Sequence, residues 1–195
     1  MGKDIHIRAA TPADATALLH IYAPYVTDTA ITFEYDVPTI EDFTQRITTT
    51  LEKYPYLLAE QDGDILGYVY AGPFHARPAY NWAVETSIYV SKVHERQGIG
   101  RVLYGALEQA LKAQGILNAN ACIAYPIVED EYLTRNSVDF HARMGYAWIG
   151  EFHQCGYKFN RWYNMVWMEK LIGDHKDKQE PVKPFKEIDK KAYQI

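Results

Sequence analysis

Apolar and polar positions alternate from the outset. Ile5, Ile7 and Ala9 interleave with His6 and Arg8, which predicts a first strand. Thr11-Pro12-Ala13-Asp14 then reads as a helix start. Thr11 can cap, Pro12 fits the first helical position where no amide is needed, and Asp14 suits the positive end. This helix is expected to reach about Tyr25. Thr39 to Lys53 repeats the signal, with Thr39 as cap and Asp42 three residues on. Tyr56 to Gln61 and Ile65 to Ala71 flank Asp62-Gly63, a hairpin turn signal. Gly72-Pro73 closes the return strand, an aromatic loop runs through Tyr80-Asn81-Trp82, and Ala83 to Val90 is a further strand.

After Gly98-Ile99-Gly100 the period is helical. Val102, Leu103, Ala106, Leu107, Ala110 and Leu111 mark one face, and Gly115 suits a left-handed end. Ala119 to Ala124 is a short apolar strand. Ser137 to Met144 is a short helix stopped by Gly145, and Ala147 to Phe152 and Asn164 to Lys170 are closing strands. The order β-α-α-β-β-β-α-β-α-β-β joins a hairpin-built half to a strand-helix-strand half, an α/β (α+β) architecture with a mixed sheet. Residues 1–172 form the expected domain. Residues 173–195 are rich in charge and read as a tail packed locally at most, with Tyr193 and Ile195 as hints of docking.

Composition narrows the field. A chain of 195 residues can bury one proper core. Its net charge of −5 argues against a nucleic-acid surface. Cys122 and Cys155 are too few for a disulfide framework and lack metal-ligand spacing, so free thiols and no metal are expected. The start Met1-Gly2-Lys3-Asp4-Ile5-His6 has no apolar leader, and no run is long enough to span a bilayer. A cytoplasmic protein without a membrane partner is the expectation.

The chemistry concentrates between residues 85 and 101. A strand, Glu85-Thr86-Ser87-Ile88-Tyr89-Val90, enters a turn, Arg96-Gln97-Gly98-Ile99-Gly100-Arg101, that opens a helix. Two glycines permit a tight turn and close ligand approach. The first helix amides are unpaired and, with the helix dipole, suit a diphosphate. Arg96 and Arg101 add positive charge. A nucleotide P-loop would need Gly-Lys-Ser/Thr, yet Arg101-Val102 follows Gly100. A dinucleotide fingerprint would need a third glycine where Leu103 stands.

This segment resembles the acetyl-CoA site of the GNAT superfamily of N-acetyltransferases, and within it the phosphinothricin acetyltransferase group. Three stretches carry the likeness: Tyr80-Asn81-Trp82-Ala83-Val84-Glu85-Thr86-Ser87-Ile88-Tyr89-Val90-Ser91, Phe140-His141-Ala142-Arg143-Met144-Gly145-Tyr146 and Gly156-Tyr157-Lys158-Phe159-Asn160-Arg161-Trp162. It spans about Ile7 to Leu171. The resemblance implies the GNAT fold, a mixed sheet of six to seven strands flanked by about four helices, and acetyl-CoA as cosubstrate. It implies a strand ending in a bulge whose amides, around Ile88, Tyr89 and Val90, hold the pantetheine arm. Arg96, Gln97, Gly98, Ile99, Gly100 and Arg101 would hold the pyrophosphate, with Asn136 and Ser137 as further cofactor contacts. The family commonly forms homodimers. Two positions depart from its pattern: Glu95 stands where Gln or Arg is usual, and Thr134 where Asn is frequent. An acidic stretch, Val128-Glu129-Asp130-Glu131-Tyr132-Leu133, precedes the last helix.

The resemblance also distributes roles. An amine must lose a proton before it attacks a thioester. Glu85 is the first candidate for base. His141 is the second, as partner in that role or as the acid that protonates the departing thiolate. Amides near Ile88 and Tyr89 would hold the oxyanion. Phe33, Arg77, Tyr80 and Trp82 are candidates for the acceptor site, with Glu34, His75, Tyr157 and Lys158 behind them. The expected acceptor is a small amino-acid-like amine of the phosphinothricin or methionine sulfone/sulfoximine type, taken by direct attack in a ternary complex. A protein lysine or N-terminus as acceptor, and a non-catalytic CoA-binding module, are the alternatives.

Overall fold

A computed structural model describes residues 5–194. The expectation of no leader at Met1 to Asp4, and the docking hint at Ile195, lie outside them. The order is β1 (His6–Ala9), α1 (Ala15–Asp28), α2 (Ile40–Leu51), β2 (Tyr56–Gln61), β3 (Asp64–Pro73), β4 (Ala83–Val90), α3 (Ile99–Gln114), β5 (Asn118–Tyr125), α4 (Asn136–Arg143), β6 (Ala147–Lys158) and β7 (Arg161–Leu171). The strands form one seven-stranded mixed sheet in the order β1-β2-β3-β4-β5-β7-β6.

Local chemistry explains most boundaries. Thr39 Oγ1 accepts the Asp42 amide at 3.1 Å, so that expected cap forms; at Thr11 the Asp14 carboxylate accepts the Thr11 amide at 2.7 Å, and Pro12–Asp14 make a 3-10 turn ahead of α1. The first helix runs three residues beyond Tyr25 to Asp28, over Pro24. Burial of Ile21, Tyr22, Tyr25 and Val26 outweighs the backbone bond that the proline removes. Asp62 (φ 56°) and Gly63 (φ 92°) turn the first hairpin.

The last hairpin is longer than its pattern indicates. The expected strand ended at Phe152, but β6 continues to Lys158. Its register shifts between Phe152 and Gly156, where Gln154 takes φ 48°. That bulge scrambles the alternation from which a strand is read. Phe159 (φ 51°) and Asn160 (φ 57°) make the turn, a pair without the glycine that signals one.

One core lies between the sheet and α3, around Leu103, Tyr104, Leu107 and Leu111. A second, rich in tyrosine, lies on the other face under α1 and α2. The segment expected as a tail docks on the first of these. Phe185 and Tyr193 are buried there, and the Lys183 amide donates to Gln114 O at 2.9 Å. Gln114 Nε2 donates to Lys53 O at 2.8 Å and Lys183 O at 2.7 Å. Among the described residues no helix is long and apolar enough to cross a membrane.

Candidate active site

Strands β4 and β5 pair in parallel only over Ala83–Glu85 against Asn118–Asn120. Past Glu85 they part, while β4 stays paired with β3 and β5 with β7. The gap is a cleft whose walls include Ile88, Tyr89, Cys122, Ile123, Ser137 and His141. The bulge that the resemblance implied is not in β4, whose register against β3 is unbroken from Val84 to Val90. The opening comes from β5 turning away.

The hydrogen-bond pattern decides which β4 amides face the cleft. Ser91 N donates to Leu66 O, and Phe74 N to Ala83 O. Alternation along an antiparallel ladder then places the Glu85, Ser87 and Tyr89 amides on β3, and turns those of Ile88 and Val90 toward the gap. The Tyr89 amide therefore faces β3, and its ring packs against Tyr22, Tyr25 and Tyr68 under α1. Val90 O accepts from Tyr25 Oη at 2.6 Å, so α1 buttresses the cleft.

Side chains take over where the ladder stops. Thr86 is buried, and its hydroxyl donates to Asn120 O at 3.1 Å, while Asn120 Nδ2 donates to Val84 O at 3.1 Å. Thr86 Oγ1 also lies 3.1 Å from Tyr104 Oη, which lies 2.7 Å from His141 Nε2. His141 Nδ1 is 2.7 Å from Ser137 O. A carbonyl only accepts, so Nδ1 carries a proton. Burial lowers the His141 pKa, which keeps the ring neutral and leaves Nε2 to accept from Tyr104. Both ring nitrogens are thus engaged inside the fold. His141 lines the cleft and ties α4 to α3 through Tyr104.

Glu85 is half-buried at the point of divergence. Burial raises its pKa, and His75 opposes that shift in part. Its charge acts on Tyr70 and on Cys122. Cys122 is exposed in the cleft wall; partial desolvation there, with Glu85 and Cys155, raises its thiol pKa. A thiol so held is a poor nucleophile.

The turn before α3 has the expected shape. Arg96 (φ 61°) and Gly98 (φ 84°) are left-handed, and the helix opens at Ile99. The Ile99 and Gly100 amides have no carbonyl four residues back within the helix. The two glycines serve different ends. A side chain on Gly98 would meet open space, whereas a Cβ on Gly100 would lie 3.2 Å from the Phe140 ring and 3.6 Å from Ile88 Cδ1. Gly100 lets α4 approach α3. Arg96, Gln97 and Arg101 are exposed beside the turn, and Asn136 and Ser137 open α4 across the cleft. These amides and cations fit a diphosphate with an extended arm. At the two departures, Thr134 Oγ1 accepts the Asn136 amide at 3.4 Å, and Glu95 is exposed near Tyr25.

The acceptor candidates separate. Tyr80 and Trp82 line a groove of about 780 Å³ with Phe74, His75, Asn120 and Trp167. The Trp82 indole donates to Glu180 O at 2.8 Å. Arg77 is exposed ahead of the turn Pro78–Tyr80. Phe33 packs instead near Tyr163, centroids 6.5 Å apart, in a small cluster with Leu133. The alternation in β2, β3 and β4 could have shown a further cavity of about 230 Å³ under α2, walled by Tyr22, Phe43, Arg46, Tyr56, Tyr70 and Tyr89. Glu34 Oε1 bonds Arg46 Nη1 at 2.8 Å, and Glu34 Oε2 is buried without a partner among the described residues.

A sheet that parts between two parallel strands, with a helix start aimed at the gap, defines an acyl-CoA-binding transferase architecture. Residues 7–167 match the family model described as an acetyltransferase (GNAT) domain, and the chain belongs to that family. The chain is 34% identical to the phosphinothricin N-acetyltransferase of Streptomyces viridochromogenes, over 84% of this chain and 85% of that protein. It is 32% identical to the L-methionine sulfoximine/L-methionine sulfone acetyltransferase of Pseudomonas aeruginosa, over 84% and 92%. The crystal structure of a GNAT superfamily phosphinothricin acetyltransferase from Sinorhizobium meliloti in complex with AcCoA superposes with a TM-score of 0.81 at 27% identity, covering 93% of this chain and 98% of that one. The seven-stranded sheet with four helices is the GNAT fold, and acetyl-CoA is the cosubstrate of an N-acetyltransferase of this kind.

Proposed function

We propose that the protein transfers the acetyl group of acetyl-CoA to the primary amine of a small amino-acid-like acceptor, of the phosphinothricin or methionine sulfone/sulfoximine type. The observation that carries this reading is a half-buried carboxylate, Glu85, where β4 and β5 part. Glu85 takes the ammonium proton, directly or through water. The freed amine attacks the thioester carbonyl, and the Ile88 amide holds the oxyanion; collapse of the intermediate breaks the C–S bond, and the proton that the nitrogen sheds goes to the departing coenzyme A thiolate. Arg96, Gln97, Gly98, Ile99 and Arg101 hold the diphosphate, Val90 the arm, and Asn136 and Ser137 the far wall. His141 keeps that wall in place through Tyr104. Transfer is direct, in a ternary complex, with no acyl-enzyme. Arg77, Tyr80 and Trp82 border the acceptor side, and Phe33 stands apart from them against Tyr163.

The names of the relatives favour a free amino-acid analogue over a lysine or N-terminus of a protein. Exposed Ile149, Phe152 and Trp162 on β6 and β7 suit a homodimer, and two unpaired thiols suit a reducing cytoplasm. A thiol-release assay on amino-acid analogues and on peptides tests the acceptor. Turnover with phosphinothricin or methionine sulfone is expected; turnover on peptides alone overturns the reading. Elution at monomer size in gel filtration overturns the dimer.

A further inference from the structure

The stretch Gly156-Tyr157-Lys158 at the end of β6 plays no part in the reaction above, yet it is closely engaged. Lys158 is 5% exposed. Burying an ammonium costs several kcal/mol unless its protons find acceptors, so such a lysine is rare without a task. Its Nζ donates to Val26 O and to Thr32 O, both at 2.8 Å. These carbonyls lie on the end of α1 and on the loop after it. On the same side, Tyr35 Oη donates to Tyr157 O. Gly156 is a glycine because Phe33 lies on it: a Cβ there would be 2.3 Å from the ring's Cε2 and Cζ. Ala30 N donates to Tyr132 O at 3.0 Å, which ties the loop's base to the acidic stretch. Asp130 of that stretch accepts from Tyr163 Oη at 3.0 Å and pairs with Arg161 at 2.8 Å, so the prop returns to the same hairpin.

What is held in this way faces the chemistry. Ile31 lines the cleft between β4 and β5. Thr32 Oγ1 lies 2.9 Å from Tyr22 Oη, in the wall of the tyrosine cavity. Glu34 fixes one oxygen on Arg46 and keeps the other buried and unpartnered. A buried acceptor without a donor costs about 1–3 kcal/mol, a cost that a ligand N–H recovers on binding.

We propose that Gly156-Tyr157-Lys158 latches the loop from Ala30 to Tyr35 in its amine-binding shape, and that Glu34 Oε2 receives a hydrogen bond from the acceptor. Lys158 is then a positioning residue for the acceptor and not for acetyl-CoA. This rests on the acetyl-transfer reading above.

The test compares Lys158→Met, Gly156→Ala and Glu34→Gln with the wild type. KM is measured separately for the amine and for acetyl-CoA, acetyl-CoA affinity by calorimetry, and hydrogen exchange across residues 26–36. Lys158→Met and Gly156→Ala should raise the amine KM about tenfold or more, with the acetyl-CoA affinity within about twofold and faster exchange at residues 30–35. Glu34→Gln should raise the amine KM with exchange unchanged. Both KM values moving together, or an unchanged amine KM, overturns the proposal. Should Lys158→Met fail to fold, Gly156→Ala and Glu34→Gln decide it. Should the wild type acetylate no amine, the functional reading fails, while exchange and calorimetry still show whether Lys158 holds the loop.

Discussion

A carboxylate partly removed from water loses hydration in its charged form, which is why the Glu85 pKa rises. Only the ionised form accepts a proton, so activity should climb with pH through a limb above the usual carboxylate range. Glu85→Gln should remove that limb and lower kcat by about 10²–10⁴, as loss of a general base does. A pH profile with two acceptors of different amine pKa separates the enzyme's limb from the acceptor's. Thr86 makes a different demand. Thr86→Val keeps the shape and deletes the hydroxyl, leaving Asn120 O and Tyr104 without it. The acetyl-CoA KM should rise about fivefold to tenfold with a stability loss of about 1–2 kcal/mol, and Thr86→Ser should restore much of both. Kinetics and urea titration check this. Glu85 was legible because it stands in a motif. Thr86 and Tyr104 were not, because their partners lie on β5, α3 and α4, and only packing brings those together.

At the scale of elements, the turn into α3 was readable and the reason for its glycines was not. Gly98→Ala should cost about 1–2 kcal/mol through its left-handed φ and weaken acetyl-CoA binding. Gly100→Ala keeps a helical φ but pushes on Phe140, so its effect should reach α4 and the His141–Tyr104 contact. Calorimetry with acetyl-CoA and ring-proton spectra of His141 distinguish the two. An unshifted His141 signal in Gly100→Ala counts against the packing role. The closing hairpin shows the opposite case. Its bulge and its Phe159-Asn160 turn obey tertiary demands that no local pattern announces, so the strand was read six residues short of its end at Lys158.

Over the whole molecule, the charged segment after Gly173 is part of the fold. Phe185 and Tyr193 bury their rings beside α3, and deleting a buried aromatic costs about 3–5 kcal/mol. Phe185→Ala should therefore lower Tm by about 6–20 °C at the usual 2–4 °C per kcal/mol for this size. An unchanged melting curve shows that the arm is only loosely attached. One contribution to acid stability lies at the other end of the chain. Two Arg8 hydrogen bonds at 2.8 Å hold the Asp14 pKa at about 2, against an ordinary 3.8. A lowered carboxylate stabilises the fold above its unfolded pKa, and that contribution fades as pH falls through the folded one. Asp14→Asn should lose the fall in stability between those two values, as read by denaturant midpoints across that range.

The order of elements, the Thr39 cap and the glycine turn into α3 were determined by the sequence, because they depend on residues a few positions apart. Hydrophobic period, capping oxygens and a left-handed glycine act within one or two turns of chain. The tertiary structure decided how β4 and β5 part, which amides face the gap, where Phe33 lies and why Lys158 is buried. Each of these depends on groups far apart in the chain whose meeting lowers the free energy only once the sheet is assembled.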